Sequence, residues 1–313
     1  LASYIGKNDY TLKDAMKKLP GIEVEDKGSI KYLGKEISNF YIDNMDLLGG
    51  RYNIATTNIP ASLVSTVQVL SNHQAVKAKK DVFSDNVAIN VKMSNKAKFK
   101  PVGSYGGSLG VGKHTLYELY GAGMLFMSNF QMLASLKAGN INQFALTDGT
   151  NHFAKQETSS TVSNLLGNLS ASTPPIDVDR YASPTDRLVS FNLLKKIHKD
   201  VTLKGNIGYS YAKSQYDYSL TRSYADADHH IIIAQAYSPL LTVHRPSILL
   251  EYKDNSDKTY LRNTLSGTGS FLTSELPTKE NESFFNQKQK MRAFDLNNKF
   301  STLWNHKDLR WSV

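Results

Sequence analysis

The stretch best spaced for chemistry is GSLGVGKH, Gly107 to His114, which follows the G-x-x-x-x-G-K pattern of a phosphate-cradling loop. Such a loop needs a Mg²⁺-binding Ser or Thr after the lysine, a buried strand before it and a helix behind it. His114 stands at the Ser/Thr position, and the stretch alternates like a strand throughout. The reading is a glycine-rich strand, not a nucleotide site. His229 and His230, preceded by Asp226 and Asp228, offer imidazole and carboxylate ligand types. Adjacent strand residues point to opposite faces and no third ligand is identifiable, so a solvated loop is expected. His152, His198, His244 and His306 lack metal-ligand spacing, Glu23 and Glu25 sit on a turn-proximal strand, and no nucleophile elbow occurs. The chain is therefore expected not to be an enzyme and to carry neither metal nor cofactor. What remains is MDLLGGRYNIATTN, Met45–Asn58, a long connection with a Gly-Gly pair. It mixes Asp46, Arg51, Tyr52 and Asn53 and is the segment expected to contact a ligand.

The elements around this connection follow from local chemistry. Thr11 can cap a short helix, with Asp14 as its acidic capping-box partner. Leu12, Ala15, Met16 and Leu19 form its apolar face, and Pro20-Gly21 stops it. Ile22 and Val24 begin a strand, Asp26 to Gly28 turns it, and Ile30 to Ile37 returns as a hairpin. A separate strand is expected over Phe40–Asp43 and an irregular connection over Asn44–Pro60. A short helical turn at Leu63 and Val64 and a strand over Val67–Leu70 follow.

Taken together, TLKDAMKKLPGIEV, then IKYLGKEI with FYIDNMDLLGGRYNIAT, then IPASLVSTVQVLSNHQAVKA resemble in order the plug domain of TonB-dependent outer-membrane receptors, in the form common in Bacteroidetes. The resemblance covers roughly a third of the chain and rests on the ordered set of three. Two features depart from the family pattern. The usual RGP…YG…GGVINI sequence after the last plug strand is replaced by Asn72-His73-Gln74 and then Val87–Val91, and the TonB-contacting segment before the plug is missing ahead of Leu1.

Composition sets bounds on this. The 313 residues, 40% hydrophobic, allow two or more domains and exclude wholesale disorder. Seventeen Tyr and thirteen Phe against two Trp suit a β-rich chain. With no cysteine there is no disulfide framework, thiolate nucleophile or Cys metal site, and the compartment is left open. The net charge of +9 is spread: residues 1–100 carry 15 basic and 10 acidic side chains, and 101–313 carry 22 and 18. A nucleic-acid partner is not expected from so diffuse an excess. No signal peptide precedes the polar start, so a mature or excised chain is expected. No apolar run is long enough for a membrane helix, which leaves a membrane barrel possible.

After a basic connection, Lys92–Pro101, period-two strands take over. Tyr105, Leu109 and Val111 face Ser and Gly, and Leu116–Met127 is an apolar partner. Phe130, Met132, Ala134 and Leu136 alternate with Gln131, Ser135 and Lys137. Leu203, Ile207 and Tyr209 alternate with Lys204, Asn206 and Ser210, and Ile248, Leu250 and Tyr252 with Ser247 and Glu251. Weaker runs occur at Leu188–Ile197, Thr259–Leu265 and Lys290–Phe300. In a soluble sandwich the greasy face would be the packed core; in a membrane barrel it would meet lipid while the polar face lines a wet lumen. Alternation alone leaves both open.

The resemblance favours the barrel. It implies a small α/β plug domain (residues 1–100) followed by the first strands of an antiparallel transmembrane β-barrel (101–313). Asn140–Pro184, Tyr218–Tyr237 and Phe271–Gln289 would be extracellular loops, and Lys199-Asp200 a periplasmic turn. About eight to ten strands fit after residue 100, against roughly 22 in a plugged barrel of this kind, so a piece of a receptor is expected. The resemblance further implies TonB-dependent transport of an unknown ligand across the outer membrane, with TonB and its inner-membrane complex and the lipid bilayer as partners, and it leaves room for a surface lipoprotein. In that family, plug loops facing the outer mouth help form the ligand site. For Asp46 and Arg51 the alternative is that they anchor plug to barrel wall. The rival to the whole reading is a soluble or surface-attached β-rich binding protein.

Overall fold

The computed structural model describes residues 6, 9–25, 27–112, 114–141, 148–149, 151–153, 174–176, 181–225, 230–306 and 309–312. Two sheets carry almost all of its order.

The first is a five-stranded sheet. Its opening helix α1, Leu12–Met16, is capped as the residues require: Thr11 and Asp14 form a complete capping box, and Leu12, Ala15 and Met16 are buried. Strands β1 (Ile22–Val24), β2 (Ile30–Tyr32) and β3 (Lys35–Ile42) form an antiparallel meander. Strands β4 (Val64–Leu70) and β5 (Val87–Met93) complete the order β1-β2-β3-β5-β4, with β3 and β5 parallel. The expected helical turn appears as a 3₁₀ turn, Ala61–Leu63.

Two expectations need correction here. Ile30–Ile37 and Phe40–Asp43 are not a hairpin plus a separate strand. The turn falls at Leu33-Gly34, both with positive φ, and one strand then runs unbroken to Ile42. The Asn44–Pro60 connection is not wholly irregular, because Asn53–Asn58 forms a helix, α2. Its polar composition conceals it: Asn53, Thr56 and Asn58 are buried beside Ile54 and Ala55, so no amphipathic period is visible.

The second sheet has eleven antiparallel strands. They are β6 (Val102–Val111), β7 (Thr115–Phe126), β8 (Phe130–Gly139), β9 (Ser183–Lys196), β10 (Val201–Gln215), β11 (Tyr218–Ala225), β12 (His230–Tyr237), β13 (Leu240–Asn255), β14 (Thr259–Glu280), β15 (Ser283–His306) and β16 (Leu309–Ser312). Each pairs with its neighbour in sequence, except that β10 pairs with β13 and the β11–β12 hairpin attaches to the far end of β14. The connections 127–129, 197–200 and 256–258, each of four residues or fewer, lie at one edge of this sheet, which we call the short-turn end; two-residue turns at 216–217, 238–239 and 281–282 lie at the other. Two stretches expected to be loops are strands. Tyr218–Tyr237 is mostly the β11–β12 hairpin, and Phe271–Gln289 is the continuation of β14 into β15 through a turn at Asn281-Glu282. Both faces there are polar or mixed, so period two fades while the main-chain ladder persists. Most of Asn140–Pro184 lies outside the described residues.

GSLGVGKH has no P-loop geometry: Gly107–Val111 belong to β6, and β7 resumes at Thr115. Asp226, Asp228 and His229 lie outside the described residues.

The inner face of the large sheet covers the small one. A single apolar cluster joins Leu12, Phe40, Ile42, Ile54, Ile89 and Val91 to Met124, Phe126, Leu133 and Leu194 of β7, β8 and β9. The outer face is the unusual one. Leu136, Ile207 and Leu250 are 52%, 55% and 48% exposed, whereas Ser135, Asn206 and Glu251 on the opposite face are 4%, 1% and 4% exposed. The alternation is thus inside out relative to a water-soluble sheet.

Candidate functional site at the interface of the two sheets

The segment between β3 and α2 is shaped by its own polar groups. Asp43 and Asn44 take positive φ, and Asn90 holds the bend by accepting from the Asn44 N–H at 2.9 Å and donating to Asn44 Oδ1 at 2.8 Å. Asp46 Oδ1 accepts from the Gly49 N–H at 2.7 Å, which turns its other oxygen toward the large sheet.

There it meets a buried charge network. Lys204 on β10 places Nζ 3.4 Å from Asp46 Oδ2 and 3.2 Å from Glu251 Oε1 on β13. Glu251 Oε2 in turn accepts from Arg262 Nε at 2.8 Å and pairs with Nη2 at 2.6 Å. Burial pushes the Asp46 carboxyl up, but Lys204, Lys253, the Gly49 N–H and Arg262 outweigh it and leave the group below its ordinary range. Amide side chains of the large sheet satisfy main-chain carbonyls of the same segment: Gln131 Nε2 donates to Ile42 O at 2.7 Å and Asn206 Nδ2 to Leu47 O at 3.1 Å. Asn206 also donates to Asn192 Oδ1, and Asn192 donates to Leu133 O.

The four residues expected to contact a ligand are thus placed as follows. Asp46 is held by Lys204. Arg51 Nη1 lies 3.5 Å from Ser247 Oγ on β13, at the edge of hydrogen bonding, and among the described residues it forms no ion pair. Tyr52 is buried, its hydroxyl accepting from the Ile30 N–H at 3.1 Å while its ring stacks on Phe40 and His152; burial pushes its phenol up to about 12. Asn53 is buried and donates to Lys27 O at 3.1 Å. Asp46 and Arg51 therefore reach the large sheet, while Tyr52 and Asn53 organise the small unit. Sequence reasoning placed Lys204 and Glu251 on polar strand faces but missed their pairing with Asp46 and Arg262. The faint signal was a charge in mid-strand on the face opposite the apolar one.

At the short-turn end, residues 75–80 are tied to three turns of the large sheet. Lys77 pairs with Asp200, its N–H donates to Asn255 Oδ1 at 3.0 Å, and Asn255 Nδ2 donates to Ala75 O at 2.9 Å. Asn305 Nδ2 donates to Ala78 O, and Lys80 lies 3.6 Å from Asp257. Between this strap and the buried network lies a cavity of about 380 Å³. Tyr41 and His73, joined at 2.9 Å, stand on its small-sheet side.

No protein-family model matches the chain, and no curated protein matches it. Solved structures with similarity include the P. aeruginosa FpvA–pyoverdine complex, at 12% identity and TM-score 0.34, covering 96% of this chain and 48% of that one. The alcaligin outer-membrane receptor FauA of Bordetella pertussis matches at 11% identity and TM-score 0.26, covering 96% and 58%. The ferric enterobactin receptor PfeA of Pseudomonas aeruginosa matches at 10% identity and TM-score 0.29, covering 95% and 57%. The chain spans about half the length of these structures. Similarities this remote transfer neither function nor site residues.

Proposed function

We propose that the protein acts in the outer membrane as a TonB-dependent transporter, residues 1–100 forming the plug and 101–313 strands of the barrel wall. The observation that carries this reading is the inverted large sheet. Across eight paired strands one outward row reads Gly103, Gly123, Ala134, Phe191, Ile207, Ile248, Gly267 and Leu296, without a single polar side chain. The adjacent row on the inner face is mixed: Val102, Met124 and Leu133, which meet the small sheet, then Asn192, Asn206, Leu249, Ser266 and Asn297. Apolar exposure on this scale suits hydrocarbon, and an inner face that is apolar where it meets the small sheet and carries buried Asn, Lys and Glu elsewhere suits a lumen filled by a plug. The rival, a soluble β-rich binding protein, would bury its greasy face.

In this mechanism ligand binds at the end opposite the short turns, and TonB, drawing on the inner-membrane proton gradient, loosens the plug. The resistance it must overcome is the interface of Asp46, Lys204, Gln131 and Asn206. Arg51, with no counterion among the described residues, is the member of the predicted set we assign to ligand contact. A Bacteroidetes-type receptor working with a surface lipoprotein is the finer form of the proposal. Fractionation of the native full-length protein, with heat-modifiability on a gel, tests it. Outer-membrane recovery and a mobility shift on boiling are expected; recovery in the soluble fraction without a shift refutes it.

A further inference from the structure

The cavity at the short-turn end collects more positive charge than its neighbours balance. Lining it are Lys77, Lys196, Lys199, Lys253 and Arg262, against Asp46 and Asp200. Adding the ion-pair partners Lys204 and Glu251 gives six cations to three carboxylates. Lys77 is matched with Asp200, Lys204 with Asp46 and Glu251, and Arg262 with Glu251. Among the described residues Lys196, Lys199 and Lys253 form no ion pair. Lys253 is half-buried on the inner face of β13, where it feels Asp46 and Glu251 without a direct ion pair to either, and an ammonium there gains from a further anion. Neutral donors stand among these lysines: the hydroxyls of Tyr41, Thr202 and Tyr260 and the amide of Asn39.

We infer that this cavity is a binding site for a multiply charged phosphate-type anion, distinct from any ligand site at the opposite end. Its volume lies within the usual range for small-ligand sites. The chemistry favours phosphate over carboxylate. The one guanidinium lining it commits its Nε/Nη2 edge to Glu251, so the ammonium groups of Lys196, Lys199 and Lys253 are the main cationic donors facing the cavity, and such point charges suit a tetrahedral oxyanion. The cavity opens on the inner face of the sheet, away from the apolar outer surface, so its occupant is a solute and not a lipid headgroup.

The test is titration calorimetry of the detergent-solubilised full chain with inorganic pyrophosphate. Saturable binding that weakens with added salt is expected, with Lys253→Met reducing affinity by about tenfold. Lys290→Met, on exposed β15, should leave affinity unchanged. Lys196→Gln supplies a second variant should Lys253→Met fail to fold, and heat-modifiability reports folding in each. No saturable binding by the unsubstituted protein, or full affinity in the folded Lys253→Met or Lys196→Gln protein, overturns the inference. Soluble fractionation would sink the transporter reading yet leave this titration interpretable, so the two fail separately.

Discussion

Replacing Ile207 by Arg separates a lipid-facing sheet from a water-facing one. Ile207 is 55% exposed and the seventh residue of β10 from the short-turn end. Six residue steps at about 3.3 Å, along a strand tilted about 40°, raise it roughly 15 Å, about the middle of a hydrocarbon layer roughly 30 Å thick. On a water-exposed surface the substitution would change stability by about 0.5 kcal/mol at most. At a bilayer midplane it costs about 2–4 kcal/mol. Thr202→Arg, five residues nearer the turn and on the inner face, serves as the comparison position outside lipid. The assay is denaturant titration of folding into lipid vesicles, with gel mobility reporting the folded fraction. An Ile207→Arg protein as stable in vesicles as the unsubstituted chain would refute the assignment of the outer face to lipid.

Other consequences concern the small unit and its seat. Lys204→Met strips Asp46 of its ammonium and Glu251 of one of its two ion-pair partners; loss of about 3–5 kcal/mol from the interface is expected, seen as faster hydrogen exchange over residues 42–52. Unchanged exchange would mean the pair is already solvated. Because the Asp46 carboxyl is held below its ordinary value of 3.8, its contribution is complete above that value and fades as pH falls through the depressed one. Burial also depresses the His73 imidazole from 6.5, so acidification below about 6.5 should begin to weaken the unit. An Asp46→Asn protein should lose the lower step and keep the upper, and His73→Gln the reverse, in unfolding followed against pH. Gly28→Ala should destabilise the small unit by about 2 kcal/mol or more, since φ is +90° and a Cβ would lie 1.6 Å from Asn53 Nδ2. Gly34→Ala, with φ +77° but open space around it, should cost only about 1–2 kcal/mol in the same thermal melt.

What the sequence determined by itself was local or periodic. The Thr11–Asp14 capping box, the strands over Ile22–Val24 and Val67–Leu70, and the two faces of β8, β10 and β13 are written in neighbouring residues, because caps and period-two alternation are short-range physics. Helix α2 was hidden because its buried residues include Asn53, Thr56 and Asn58, satisfied by Lys27 O across the fold and by main-chain carbonyls within the helix. The outer ends of β14 and β15 were hidden because main-chain pairing needs no side-chain period. Which face turns inward was beyond the alternation itself. Ile207 and Asn206 alternate identically in a sandwich and in a barrel wall, and only packing against a second sheet decides which of them is covered. The charge network was likewise tertiary: Asp46, Lys204, Glu251 and Arg262 are separated by up to 158 residues between bonded partners, and no spacing rule links side chains across that distance.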